Sequence, residues 1–214
     1  MDNQRKHHTP SLLLIICLIT LPQISETLYS PALPAIAHSL STTMSLVEWT
    51  LSIYFIGFAI GVATWGSISD HIGRRNTALI GLAIYIITSL LCAVSVNIVM
   101  LLSLRFFQAF GISIGSVITQ TMMRDCFSGK QRNKIFSAVG MWLGLAPAIG
   151  PIIGGMVVQY SQWRGNFIVL TLSGLMMLLY ALLRLPETRP EIISQDKVRC
   201  LLSLFGRMIC DPHI

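Results

Sequence analysis

The chain has 214 residues, of which 53% are hydrophobic and only 11% charged, against the ~25% charge usual in soluble domains. That is more apolar surface than one soluble core can hide, so an ordinary soluble domain is excluded and a bilayer is the expected solvent. The net charge of +6 fits either a nucleic-acid surface or a membrane topology signal, and the positions of the basic residues decide between them.

Six apolar runs of spanning length follow one another, at about 11–34, 46–69, 77–96, 98–123, 135–160 and 167–185. Each is expected to be a helix, because backbone groups in lipid find no water to bond. With a cytoplasmic N-terminus, every Lys and Arg except Arg105 and Arg164 falls on the cytoplasmic side, which predicts both termini inside. The charge is then a topology signal, and no nucleic-acid partner is needed. Arg5 and Lys6 before a Leu/Ile run suggest a signal peptide, but no A-x-A-like site follows, so an uncleaved first helix is expected. Cys17, Cys92, Cys126, Cys200 and Cys210 have no metal-ligand spacing. They are expected to be reduced thiols, with no metal or cofactor.

The first run carries Glu26, an acid within a span and therefore a candidate functional group. At 1.5 Å per residue it lies about 21 Å along a helix that enters lipid near Leu12. If Pro31 and Pro34 end the helix early, it is instead wet at the outer surface. The second run begins at Glu48 and Trp49, an interfacial pair, and holds Gly57 and Gly61 at the spacing of close helix packing. Charges and glycines are concentrated in Gly66-Ser67-Ile68-Ser69-Asp70-His71-Ile72-Gly73-Arg74-Arg75, expected to be a short loop. There Asp70 and Arg74, four apart, can pair, and Gly66 and Gly73 supply close approach and φ > 0. The third run shows no chemistry.

The fourth run holds Arg105, about 10 Å below the outer face and near the level of Glu26. It either meets the carboxylate or snorkels to the outer headgroups. In the first case a proton or a cationic substrate would compete with the guanidinium for the carboxylate. Gly111-Ile112-Ser113-Ile114-Gly115 matches the G-x-S-x-G of serine hydrolases, but that chemistry needs a base beside the serine. All five histidines, His7, His8, His38, His71 and His213, lie outside the runs, so an enzyme is not expected. The fifth run, with Pro147, Gly150, Pro151, Gly154 and Gly155, predicts a kinked helix with a smooth face. Trp163-Arg164 marks the outer turn into the sixth.

The loop at 66–75 resembles that between helices 2 and 3 of the major facilitator superfamily, written G-x-L-a-D-r-x-G-r-r/k. Here Ile68 replaces the Leu and His71 the first basic residue. Leu101 to Gly111, with Arg105 and Gln108, is similar to the family's l-x-x-x-R-x-x-q-G-x-g on helix 4, with Ala109 at the Gly position. The fifth run resembles the antiporter motif g-x-x-x-G-P-x-x-G-G, with Ala146 for its first Gly. That motif belongs to drug and proton exchangers rather than sugar symporters. Residues 25–36 resemble the end of helix 1 in the Bcr/CflA branch, S-T-D-M-Y-L-P-A-L-P, but Thr27 stands at the Asp position and the acid comes one place earlier. Residues 185–188 resemble the family's exit from helix 6.

The resemblance implies an all-α membrane protein. Residues 1–186 would be the N-terminal six-helix half, two inverted three-helix repeats, and 187–214 the start of the central cytoplasmic loop. It implies proton-coupled multidrug efflux at a bacterial inner membrane, with Glu26, Arg105 and Gln108 coupling proton and substrate. Gly66, Asp70, Gly73, Arg74, Arg75 and Asp125 would form a cytoplasmic latch built on an Asp70–Arg74–Asp125 network. The implied partners are lipid, a cationic or amphipathic drug, the proton, and a second six-helix half, since the cavity of such transporters lies between halves. An importer or symporter of a small metabolite, and a non-transporting half that binds a partner, remain open. So do a truncated inactive product, a half paired with a separate partner, and a homodimer.

Overall fold

The computed structural model describes residues 11–127 and 129–185, apart from the side chains of Asp125, Cys126 and Lys130. The expected central-loop segment 187–214 lies outside the described residues. Among the described residues seven helices follow in chain order: α1 (Leu12–Thr27), α2 (Leu33–Ser39), α3 (Met44–Ile72), α4 (Arg74–Ala93), α5 (Ile98–Ile112), α6 (Ile114–Cys126) and α7 (Gly129–Arg184). Polar residues between the runs start several of them. Ser11 Oγ accepts from Leu14 N at 3.2 Å and Asn97 Oδ1 from Met100 N at 2.8 Å, satisfying amide groups that have no partner in a helix's first turn.

Two of the expected spans are broken rather than continuous. In the first, Pro31 has no N–H to give, and the chain passes through a 3-10 turn at Ser30–Ala32 before α2 resumes. The fourth divides at Ser113 into α5 and α6. Conversely, the fifth and sixth expected runs fall in the single element α7, where the chain leaves helical conformation at Gln162, with φ 58° and ψ −177°. By length and composition, five helical stretches among the described residues are long and apolar enough to cross a membrane: Leu12–Ser39, Met44–Ile72, Arg74–Ala93, Ile98–Arg124 and Gln131–Arg184. The last has 54 residues, about 81 Å if it were straight, against a hydrocarbon core of ~30 Å.

The expected loop at 66–75 is also corrected. Helix α3 runs through Gly66 and Asp70 to Ile72, and only Gly73 is non-helical, with φ 96° and ψ 151°. That backbone needs glycine. Gly66 is ordinary helix, with open space where a Cβ would stand.

Helices α3 and α5 pack together, α4 lies against α5 and α7, and α1 against α7. The expected close approach at Gly57 and Gly61 is present: a Cβ at Gly57 would strike the carbonyl of Phe106, and one at Gly61 would strike Ser113. Between the helices, tyrosines fill the interior with their hydroxyls paired, as burial requires. Tyr85 meets Ser25 at 2.7 Å, Tyr29 meets Thr50 at 2.8 Å, and Tyr54 donates to the Pro22 carbonyl at 3.0 Å. Outward-facing positions such as Phe55, Ile87 and Met176 are exposed and apolar, as a lipid-facing surface demands.

Candidate functional site

Arg105 on α5 has no exposed surface, so it does not snorkel. Its Nη1 donates to Gln108 Oε1 at 2.7 Å, and Gln108 Nε2 donates on to Ser89 Oγ of α4 at 2.7 Å. The guanidinium carbon lies 4.2 Å from the ring centre of Tyr29 and 4.3 Å from that of Tyr54. A buried charge is costly unless something stabilises it. Here the negative faces of two aromatic rings do so, each contributing up to about 2 kcal/mol where water is excluded. Nε and Nη2 of Arg105 have no hydrogen-bond partner among the described residues.

Glu26, one residue before the end of α1, is half-buried. Its Oε2 accepts from Gln23 Nε2 at 3.3 Å. It opens onto a groove of about 110 Å³ lined by Pro22, Gln23, Tyr54, Phe55 and Phe58. The guanidinium bonds to Gln108 rather than to the carboxylate, and Tyr54, which stacks on Arg105, is also part of the groove wall.

The one-residue offset of the acid has a clear structural correlate. Thr27 is buried, bonds back to the Gln23 carbonyl at 2.9 Å, and packs against Gly150 of α7. A step of one residue turns a helix by about 100°. Position 27 therefore faces a helix contact and position 26 faces the groove.

In the fifth expected span only part of the motif faces inward. Ala146, Gly150 and Gly154 are buried, and a Cβ at Gly154 would strike the Leu28 carbonyl. Pro147 and Pro151 are exposed, and Gly155 has open space beside it. The serine-hydrolase match is a packing device: Gly111 touches the backbone of α4, Gly115 the Leu18 carbonyl of α1, and Ser113 Oγ donates to the Phe110 carbonyl at 2.7 Å.

At the Gly73 end, Asp70 is exposed on the last turn of α3. With Gly66, Ser69, Gln120, Thr121 and Arg124 it lines a cavity of about 300 Å³ between α3 and α6. Arg74 is buried at the start of α4, and Arg75 Nη2 donates to the Leu182 carbonyl, in the last turn of α7, at 2.8 Å. The side chain of Asp125, the expected third member of the latch, lies outside the described residues.

The aromatic clamp and the polar chain beyond it, Tyr29, Tyr54 and Ser89, were not anticipated, nor were Gln23, Phe55 and Phe58 around Glu26. The available signal was two tyrosines inside apolar runs, since a buried hydroxyl or ring edge in lipid needs a polar partner.

Residues 15–212 match the family model described as Major Facilitator Superfamily. An uncharacterized transporter of Rickettsia bellii is 41% identical over 179 residues, 84% of this chain and 44% of that protein. The bicyclomycin resistance protein homolog of Haemophilus influenzae is 29% identical over 205 residues, 96% of this chain and 51% of that protein. A crystal structure of a D-xylose-proton symporter superposes with a TM-score of 0.73 at 15% identity, covering 92% of this chain and 51% of that one, and shares the fold. The chain thus spans about half the length of the relatives it matches. With a family model matched along nearly its whole length and the same helical fold, this chain belongs to the Major Facilitator Superfamily.

Proposed function

We propose that this chain forms the substrate- and proton-binding part of a multidrug efflux antiporter of the Bcr/CflA type, with Glu26 as the exchange site. The observation that carries this reading is the Glu26 groove. A single carboxylate stands beside the aromatic side chains of Tyr54, Phe55 and Phe58, and such a wall suits an amphipathic organic cation through ring contact and charge. The buried Arg105 nearby supplies a fixed positive charge, against which a proton or a cation on Glu26 has to compete. Outward drug movement driven by an inward proton gradient requires one site that exchanges the two.

In this reading residues 1–186 cross a bacterial inner membrane six times, with α7 crossing twice around Gln162, as two inverted three-helix repeats. Both termini are cytoplasmic, and 187–214 open the central loop toward a second half that completes the cavity. The inward clustering of basic residues supports the orientation. Labelling of a cysteine at position 41 only after the cytoplasmic side is permeabilised would contradict it. The Asp70 end of α3 serves as a latch, and Asp70→Asn in a protein carrying both halves is expected to impair transport without affecting insertion.

The function is tested in the same two-half protein, reconstituted in liposomes with an imposed proton gradient. Glu26→Gln is expected to abolish proton-driven efflux of tetraphenylphosphonium, whereas Glu48→Gln, at an exposed position on the first turns of α3, is expected to leave it near normal. Undiminished proton-driven efflux by Glu26→Gln would move the exchange site elsewhere.

A further inference from the structure

Tyr54 both touches Arg105 and lines the Glu26 groove. Its ring lies over the guanidinium, and its hydroxyl is tied to the Pro22 carbonyl of α1, one helical turn before Glu26. Tyr29 covers Arg105 as well, but its hydroxyl is held by Thr50 and it is not part of the groove. Arg105 meanwhile has no hydrogen-bond partner for Nε and Nη2 among the described residues, although it is fully buried. Unbonded charged N–H groups in a dry interior seek an acceptor, and the Glu26 carboxylate of α1 shares the groove wall with the Tyr54 that covers Arg105.

We infer that Tyr54 is a positioning residue for Glu26: its ring, laid over Arg105 and tied through its hydroxyl to Pro22, holds the guanidinium in place on Gln108 and keeps it from swinging onto the carboxylate, which leaves Glu26 open to a lipophilic cation. The inference rests on the reading of Glu26 as the exchange site. In physical terms the ring is a non-competing partner. It stabilises the cation without consuming the acid, whereas a direct bidentate pair would satisfy both charges and close the site. An aliphatic side chain at position 54 offers no such face, and the guanidinium then pairs with Glu26.

The test uses the full chain in lipid nanodiscs, as the native protein and as Tyr54→Phe, Tyr54→Leu and Tyr54→Met. Infrared difference spectra against Glu26→Gln, at about pH 8 where carboxylates are ordinarily ionised, isolate the Glu26 carboxylate stretch. Binding of radiolabelled tetraphenylphosphonium gives the affinity. Native protein and Tyr54→Phe are expected to share one band position, with Tyr54→Phe losing about threefold in affinity along with the hydroxyl bond to Pro22. Tyr54→Leu and Tyr54→Met are expected to show the band displaced to that of a guanidinium-paired carboxylate, with affinity about tenfold weaker, the scale of one desolvated ring contact. Whichever aliphatic variant folds decides the matter. An unmoved band in it overturns the inference, whether or not affinity falls, because loss of affinity alone would make Tyr54 an ordinary wall of the groove. If Glu26→Gln itself binds tetraphenylphosphonium as well as the native protein does, the exchange-site reading fails, and the band position still decides what Tyr54 does to Glu26.

Discussion

The side-chain amide of Asn166 donates to the main-chain carbonyl of Leu28 at 2.9 Å, joining positions 138 residues apart. The bond is explained by the break in the first span. Ala32 N–H bonds to the Tyr29 carbonyl instead of continuing the α-helical pattern, so the Leu28 carbonyl needs another donor. Asn166, fully buried on α7, provides it. Removing the amide leaves a buried carbonyl unsatisfied, at a cost of about 1–3 kcal/mol. Asn166→Ala is therefore expected to lower the thermal unfolding midpoint in detergent, and Asn166→Asp to lower it further by aiming a carboxylate at that carbonyl. Equal midpoints for all three proteins would show that the bond contributes nothing.

The glycines at positions 154 and 155 stand side by side in sequence but face different surroundings. A side chain at Gly154 would meet the Leu28 carbonyl, while Gly155 has no neighbour within 4 Å. Gly154→Val is expected to cost about 1–3 kcal/mol by forcing α7 away from α1. Gly155→Ala, on an open face, is expected to stay within about 0.5 kcal/mol of the native protein. Unfolding of both variants, followed by tryptophan fluorescence, checks the asymmetry. Equal destabilisation would mean that the motif acts through backbone propensity rather than helix contact.

The membrane character of the chain, the helical spans and the interior placement of Arg105 were legible because apolar length and a lone charge are signals carried by single positions. The close packing at Gly57 and Gly61 was legible for a similar reason, since small residues four apart share a helix face. Three features were hidden. Gly66 to Ile72 reads as a loop on charge and glycine content, yet the end of α3 is set by the positive φ of Gly73 alone. The rings over Arg105 come from α3 and the segment after α1, and its hydrogen-bond partner Gln108 is itself anchored on Ser89 of α4; no periodicity within the Arg105 helix reports these neighbours. Asn166 answers a carbonyl freed by a proline-bearing turn 138 residues earlier, a pairing that only the folded chain reveals.

Arg74 and Arg75 put two positive charges in the first turn of α4, the end of a helix where cations are disfavoured. Arg75 resolves part of this conflict by reaching the Leu182 carbonyl, in the last turn of α7, where unsatisfied carbonyls favour a cation. Arg75→Ala is expected to destabilise the protein by about 0.5–1 kcal/mol, and Arg75→Lys, which keeps the charge but not the planar donor, by less. Limited proteolysis should show a faster cut near Leu185 in Arg75→Ala. An unchanged cleavage rate would indicate that this contact does not fasten the end of α7.

The position of the acid on the first span gives the most discriminating test. Bcr/CflA-type sequences place Asp where this chain has Thr27, and an acid moved there would keep the net charge of the span while changing its direction. Thr27 is 8% exposed and sits against Gly150, with no cation among the hydrogen-bond partners of its side chain. An unpaired carboxylate there is a buried charge without a counter-ion, a defect of about 3–5 kcal/mol when a partner is lacking. The double variant Glu26→Gln/Thr27→Asp is accordingly expected to melt well below Glu26→Gln alone and to recover no tetraphenylphosphonium binding. Recovery of binding in the double variant would show that α1 can rotate by roughly one residue's angle, about 100°, and that the groove, rather than residue 26, selects which position carries the acid.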